Sequence, residues 1–361
     1  MPWRKASNCS RSARRWATLG SEGLGGVAST MGASLGQNRA NAAKRGGQGC
    51  WDNADMTVSR VLILGGTGFV GRHVCEALQR LGIAMTVPTR HPSSARRLAH
   101  LPLVTTVVTN VNAPDALMQL VPGHDAVVNL VAILHGSRAA FERVHLTLAQ
   151  RLAAACGAAG VRRVVHVSAL GAHAHAPSNY QRSKAAGEEA LRRGAKDHGW
   201  QLAVLRPSVI FGADDALLNQ FALLQRWLPL LPLAGGNTRF QPVWVQDVAE
   251  AVTRLLRQPQ VTPLVDAVGP ETLTLAQLAR VAGRASGHPR MVWPLPRWVG
   301  HVQAAMLAPL PGPPLISHDN VRSLAQDNVR DPQATHPDLH ALGIEPVGVL
   351  AMASQLLRRH H

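Results

Sequence analysis

The segment VLILGGTGFVGRHVCEAL, residues 61–78, constrains the fold more than any other part of the chain. An apolar run leads into three glycines at three-residue intervals, Gly65, Gly68 and Gly71, and an amphipathic stretch follows directly. Each glycine has a mechanical reason. Gly65 permits a tight turn off a strand, Gly68 lets backbone approach a phosphate without an intervening Cβ, and Gly71 lets the next helix lie close to the sheet. The spacing predicts a strand at 61–64 and a helix over 69–81, whose first amides are donors for a pyrophosphate.

Downstream, short β-branched runs alternate with longer helical patterns, which points to parallel βαβ units. Strands are expected near 84–88, 104–108, 126–131, 163–168 and 202–205, and helices near 93–99, 114–121, 139–159 and 179–195. With the first strand this makes a six-stranded, doubly wound α/β sheet of the Rossmann type, expected over residues 56–212. Beyond Arg206 the regularity fails. LLQRWLPLLPLAGG, PLPRWVGHVQ and MLAPLPGPPLI are apolar, broken by proline, and lie in the part of the chain that carries Trp227, Trp293 and Trp298. Residues 213–361 therefore read as a smaller C-terminal lobe for substrate or partner, with parts returning to the Rossmann core. Its tryptophans suit either a docking surface or ordinary packing.

Residues 1–55 hold eight basic and three acidic side chains and show no hydrophobic period, so a disordered extension is expected there. A transit segment is one reading of it; sequence preceding a natural start at Met56, four residues before the first strand, is the favoured one. The +16 formal charge is not gathered into Lys/Arg runs interleaved with aromatics, which argues against nucleic acid and leaves an anionic ligand or surface. Cys9, Cys50, Cys75 and Cys156 form no pattern for a disulfide framework or a metal. No run of about 18 uncharged apolar residues is present. A reducing, cytoplasmic setting is expected, with a peripheral position at the inner face of a membrane as the variant.

At the end of the second strand an acid would hold the ribose of NAD(H). The chain has Arg90 instead, with Arg96 and Arg97 nearby, and the planar fork of Arg90 suits a 2′-phosphate, which favours NADP(H) with NAD(H) still open. The only tyrosine, Tyr180, lies four residues before Lys184, one of four lysines, so both share a helix face. An ammonium there is expected to pull the phenol down from about 10 towards a range useful for proton transfer. RRVVHVSALG reads as a strand ending at Ser168, whose hydroxyl can polarise a carbonyl.

GGTGFVG, Ser168 and the Tyr180/Lys184 pair together resemble the short-chain dehydrogenase/reductase superfamily. NLVAIL at 129–134, YQRSKAAGEEAL at 180–191, LRPSVIFG at 205–212 and FQPVWVQDVAEAV at 240–252 look like its extended and atypical branch. More narrowly, they are similar to the family of nucleotide-binding accessory subunits of respiratory complex I, alpha-subcomplex subunit nine. The resemblance implies Tyr180 as proton donor or acceptor, Lys184 as its activator and a ribose ligand, and Ser168 as substrate polariser. Pro207, Ser208 and Val209 would then flank the nicotinamide. Gly65, Thr67, Gly68, Phe69, Val70 and Gly71 would hold the phosphates, with Arg90, Asn110, Val111, Val131 and Ala132 around the rest of the cofactor. Two departures stand out: Asn110 replaces an Asp at the adenine edge, and Val131, Ala132 and Ile133 replace an Asn-Ala-Gly stretch.

Three functional classes follow. The first is an NADPH-dependent oxidoreductase on a carbonyl, quinone-like or lipid-like substrate. The second is a catalytically silent nucleotide-holding subunit or assembly factor of a respiratory complex. The third is a nucleotide-sugar epimerase or dehydratase. His173 and His175 form an HxH without a third ligand, so no metal is expected. Asp247 is read as the cap of the helix that follows it.

Overall fold

The structure is a computed structural model that describes residues 58–307 and 316–356. The extension expected over 1–55 lies outside the described residues. The strands used below are β1 Arg60–Leu64, β2 Ala84–Thr89, β3 Val104–Val108, β4 Ala126–Asn129, β5 Arg163–Val167, β6 Gln201–Pro207, β7 Leu230–Ala234, β8 Leu264–Ala267 and β9 Met291–Leu295. The helices are α1 Phe69–Arg80, α2 Leu148–Ala159, α3 Asn179–His198, α4 Ala216–Trp227, α5 Val245–Arg257, α6 Leu275–Ala285, α7 Arg297–Leu307 and α8 His318–Ser323.

Seven strands form one parallel sheet in the order β8-β6-β5-β4-β1-β2-β3, matching the expected doubly wound Rossmann-type α/β class with one strand more than the six anticipated. The extra strand, β8, comes from the sequence beyond residue 213. Its four residues, LVDA, are too short for periodicity to identify. Along β1, Val61 and Ile63 enter one core, with α1 and α5, while Leu62 and Leu64 enter the other, with α2 and α3. Burial on both faces explains the nearly continuous apolar runs of these strands.

The chain order reverses between β1 and β4, where Leu64 pairs with Asn129. That reversal opens a crevice at the carboxyl ends of the strands, the place where open parallel sheets bind ligands. The helix expected at 139–159 is interrupted: Arg138–Phe141 is α-helical, Glu142–Thr147 is a π-helical turn, and α2 follows. The wider turn carries His145, which bonds out of the helix to Ser183. A third core joins α4, β7, α6 and β9 beside the sheet. Among the described residues no helix is long and apolar enough to cross a membrane.

Candidate functional site

Gly65 leaves β1 with φ +85°, and a Cβ there would lie 3.2 Å from the Leu130 carbonyl carbon. The turn closes when the Gly68 amide donates to the Gly65 carbonyl at 3.0 Å. A Cβ on Gly71 would stand 2.3 Å from that same oxygen and 2.6 Å from Gly66 Cα, so the helix can approach only because Gly71 has none. Gly68 is the cap residue of α1, has no side chain to offer, and the first turn holds no acid. Among the described residues, the amides of Phe69, Val70 and Gly71 have no acceptor. Three uncapped donors at the positive end of a twelve-residue helix, lying in the crevice, fit a pyrophosphate.

The rest of the predicted cofactor set is grouped around this cradle in part. Val131 and Ala132 continue from β4 over Gly65, held by the Asn129 Oδ1, which accepts the Val131 amide, and by His145 Nε2, which accepts the Ile133 amide. Thr67 is half-buried in the turn. Arg90 is exposed immediately after β2 and has no partner among the described residues. Asn110 is exposed beyond β3, its carboxamide oxygen taking the Asn112 amide, while Val111 is buried in the core beneath. Pro207 and Val209 sit at the end of β6, where their carbonyls accept the amides of Leu170 and Val243.

Ser168 follows β5 directly. It is 4% exposed, and its Oγ is a buried hydroxyl with no hydrogen-bond partner among the described residues, an arrangement with a cost unless a ligand supplies one. Lys184 reaches back from α3 to donate to the Val167 carbonyl at 2.7 Å, which ties the ammonium to the peptide next to Ser168. Burial draws its pKa down to about 8, against the opposing pull of Glu188 one turn on. Tyr180 lies edge-on to His145, with ring centroids 5.6 Å apart, and to Phe141 at 6.2 Å. The expected lowering of the phenol by Lys184 is not found. Burial pushes Tyr180 up to about 12 and the ammonium is committed to Val167. Among the described residues the phenol oxygen has no hydrogen bond.

Sequence reasoning missed the groups that hold this machinery. The Asp319 carboxylate, 8% exposed on α8, accepts the amides of Asn179 and Tyr180 at 2.8 and 3.0 Å, and Ser178 caps the same helix through the Gln181 amide. Nothing local in the sequence announces a cap that comes from another element. His145 is buried and accepts the Ile133 amide at Nε2, so the proton is on Nδ1, which donates to Ser183 Oγ at 2.7 Å; Ser183 donates in turn to the Tyr180 carbonyl. Burial, assisted by the Lys184 charge, takes its pKa down to about 3. His166, on β5, lies well below its ordinary value for the same two reasons and meets Asn129 at 3.2 Å. Both imidazoles are neutral spacers behind the site.

Asp247 is not a helix cap. It lies inside the first turn of α5, where Trp244 occupies the cap position without a side-chain cap bond, and its carboxylate accepts the Val347 amide at 2.8 Å. His173 and His175 are both exposed.

The model of the NAD dependent epimerase/dehydratase family matches residues 61–266, which span the glycine cradle, Ser168, Tyr180, Lys184 and most of β8. The chain belongs to that family. As a family member it is 30% identical over 307 residues to NADH dehydrogenase [ubiquinone] 1 alpha subcomplex subunit 9, mitochondrial, of Rattus norvegicus, covering 82% of this chain and 79% of the relative. It is 32% identical over 237 residues to a ceramide reductase of Caulobacter vibrioides, covering 64% of this chain and 72% of that one. Among solved structures, the UDP-glucose 4-epimerase of Thermus thermophilus in complex with NAD superposes with a TM-score of 0.64 at 21% identity. That match covers 83% of this family member and 98% of the epimerase and speaks for the fold.

Proposed function

We propose that this protein binds NADP(H) in the cradle Gly65–Gly71 and is built to reduce a carbonyl on an apolar, lipid-like or quinone-like substrate. The observation that carries this reading is the arrangement at the carboxyl edge of the sheet. Three unpaired amides of α1 face the crevice from β1, and an unpaired buried hydroxyl, Ser168, sits two strands away with Tyr180 and Lys184. Arg90 supports a 2′-phosphate on the cofactor, because its guanidinium has no partner among the described residues and the sequence places no acid at the end of β2.

A bound nicotinamide would supply the hydride. Ser168 Oγ would donate to the substrate oxygen and so fill its own missing hydrogen bond. Tyr180, with a phenol at about 12, keeps its proton at neutral pH and would pass it to the oxygen as the carbonyl becomes an alcohol, afterwards regaining a proton from solvent. Lys184 would stabilise the transient phenolate and reach the nicotinamide ribose. The name of the Caulobacter relative supports a lipid carbonyl as the substrate class to try.

The names of the complex I relatives support a second reading, in which the same nucleotide is held for structural reasons beside a respiratory complex, at the periphery of a membrane. The Lys184 bond to Val167 favours it, since that ammonium is engaged before any ligand arrives. Purified protein with NADPH and a panel of long-chain ketones, aldehydes and quinones separates the two. Turnover that Tyr180→Phe abolishes without loss of NADPH binding supports the reductase; tight NADPH binding with no oxidation supports the holding role.

A further inference from the structure

We propose that the face formed by β7, β9 and α7 docks on a bilayer carrying anionic phospholipid. β7 and β9 pair in parallel with Met291 opposite Leu230 and Trp293 opposite Pro232. Val292 and Leu231, the pair between them, are buried in the third core, so the alternate set points outward. Met291 and Trp293 are 74% and 58% exposed. α7 lies along this ribbon, with Gly300 packed close to Ala234 and Gln303 donating to the Pro232 carbonyl at 3.3 Å. On its free side Trp298, Val302 and Met306 follow one another at four-residue spacing, at 68%, 49% and 74% exposure. Trp227, at the end of α4, is 75% exposed. A monomeric surface rarely leaves so many large apolar groups in water, and Trp, Met and Val in one place suit the boundary between headgroup and acyl chain.

Charge selects the partner. The two segments that build this face, residues 216–246 and 272–307, contain six arginines and not one Asp or Glu, in a chain with 21 acids, and of the six Arg239 is paired with a carboxylate from elsewhere, Asp327. Three of the exposed apolar residues each directly follow an arginine: Arg226-Trp227, Arg290-Met291 and Arg297-Trp298. Arg226 lies over the Trp227 ring at 5.9 Å, and Arg290 is anchored on the Gln225 carbonyl. A water-soluble protein partner of mixed charge has no need of this pairing. A sheet of phosphodiesters over hydrocarbon does, because each guanidinium can reach a phosphate while its neighbour enters the apolar layer.

The test is co-sedimentation of the full chain with phosphatidylcholine vesicles, with and without phosphatidylglycerol. Binding at least about tenfold stronger to the anionic vesicles, weakened by 0.5 M NaCl, is expected. Trp293→Ser with Trp298→Ser, and separately Arg226→Glu with Arg297→Glu, should each lower it at least about tenfold while thermal unfolding stays that of the wild type. The charge pair carries the test if the tryptophan pair fails to fold. Equal binding to neutral vesicles, or variants that sediment like the wild type, would overturn the proposal; the second result would place the lipid contact elsewhere, including the basic residues before position 56. A solution dimer that Trp298→Ser dissociates, with no vesicle binding, would overturn it in favour of a second copy of this chain.

Discussion

Asp319 holds Tyr180 by its backbone: one carboxylate oxygen takes the Tyr180 amide at 3.0 Å and the other the Asn179 amide at 2.8 Å. The two residues are 139 apart in sequence, so α8 orients the start of α3 and with it the phenol. Removing the carboxylate leaves two first-turn donors unpaired in a buried place, at a cost of about 1–2 kcal/mol. Asp319→Ala should therefore lower the urea midpoint by a corresponding amount, with Asp319→Asn in between. On the reductase reading it should lower kcat more than NADPH affinity, since the cradle on α1 is untouched.

Gly71 is the position where a single methyl does most harm. Its Cβ would meet the Gly65 carbonyl and Gly66 Cα, both backbone, so neither can swing aside. Gly71→Ala is expected to destabilise the protein by about 1–3 kcal/mol and to weaken nucleotide binding, read by thermal unfolding and NADPH titration.

The neutral histidines behind the site should make the protein sensitive to acid. His145 has an ordinary value of 6.5 and a folded value of about 3, so the unfolded chain binds its proton first. Its contribution is fully present above pH 6.5 and is lost as pH falls from there towards 3, at about 1.4 kcal/mol per unit. His166 acts in the same direction. His145→Asn should cost stability at pH 7, through the lost bonds to Ser183 and Ile133, and the gap to wild type should narrow by pH 4.5 in urea titrations.

Lys184 predicts an effect at the opposite end of the scale. Its folded value of about 8 lies below 10.5, so the charged form is held at a penalty below pH 8 that is relieved as pH rises towards 10.5. Carbonyl reduction that relies on the ammonium should fall as pH passes about 8. Glu188→Gln removes the charge that raises the value, so the fall should begin at lower pH.

What was legible in the sequence is local. The glycine cradle, the strand ends and the Tyr180/Lys184 pair follow from spacing, because each rests on neighbours within a turn or two. Chain beyond residue 213 was expected to return to the Rossmann core, but not which strand does so. What was missed comes from distant chain: β8 is that strand, Asp319 reaches across to α3, and His145 acts through a π-helical turn that apolar periodicity reads as plain helix. The Tyr180 phenol was misjudged because burial, which depends on distant chain, raises it, and the ammonium four residues on is held by the Val167 carbonyl of β5.

The most direct test of the account is a fluorescence titration of NADPH and NADH into wild type and Gly68→Asp. An aspartate at the uncapped start of α1 puts a negative charge where the pyrophosphate belongs, with its Cβ 3.2 Å from the Gly65 carbonyl oxygen, a close contact beside a helix end that favours the charge. The account predicts saturable binding by wild type, tighter for NADPH, and a loss of about 100-fold or more in the variant, which still unfolds in one cooperative thermal transition. Absence of binding of either nucleotide by wild type, or undiminished binding by Gly68→Asp, would contradict it.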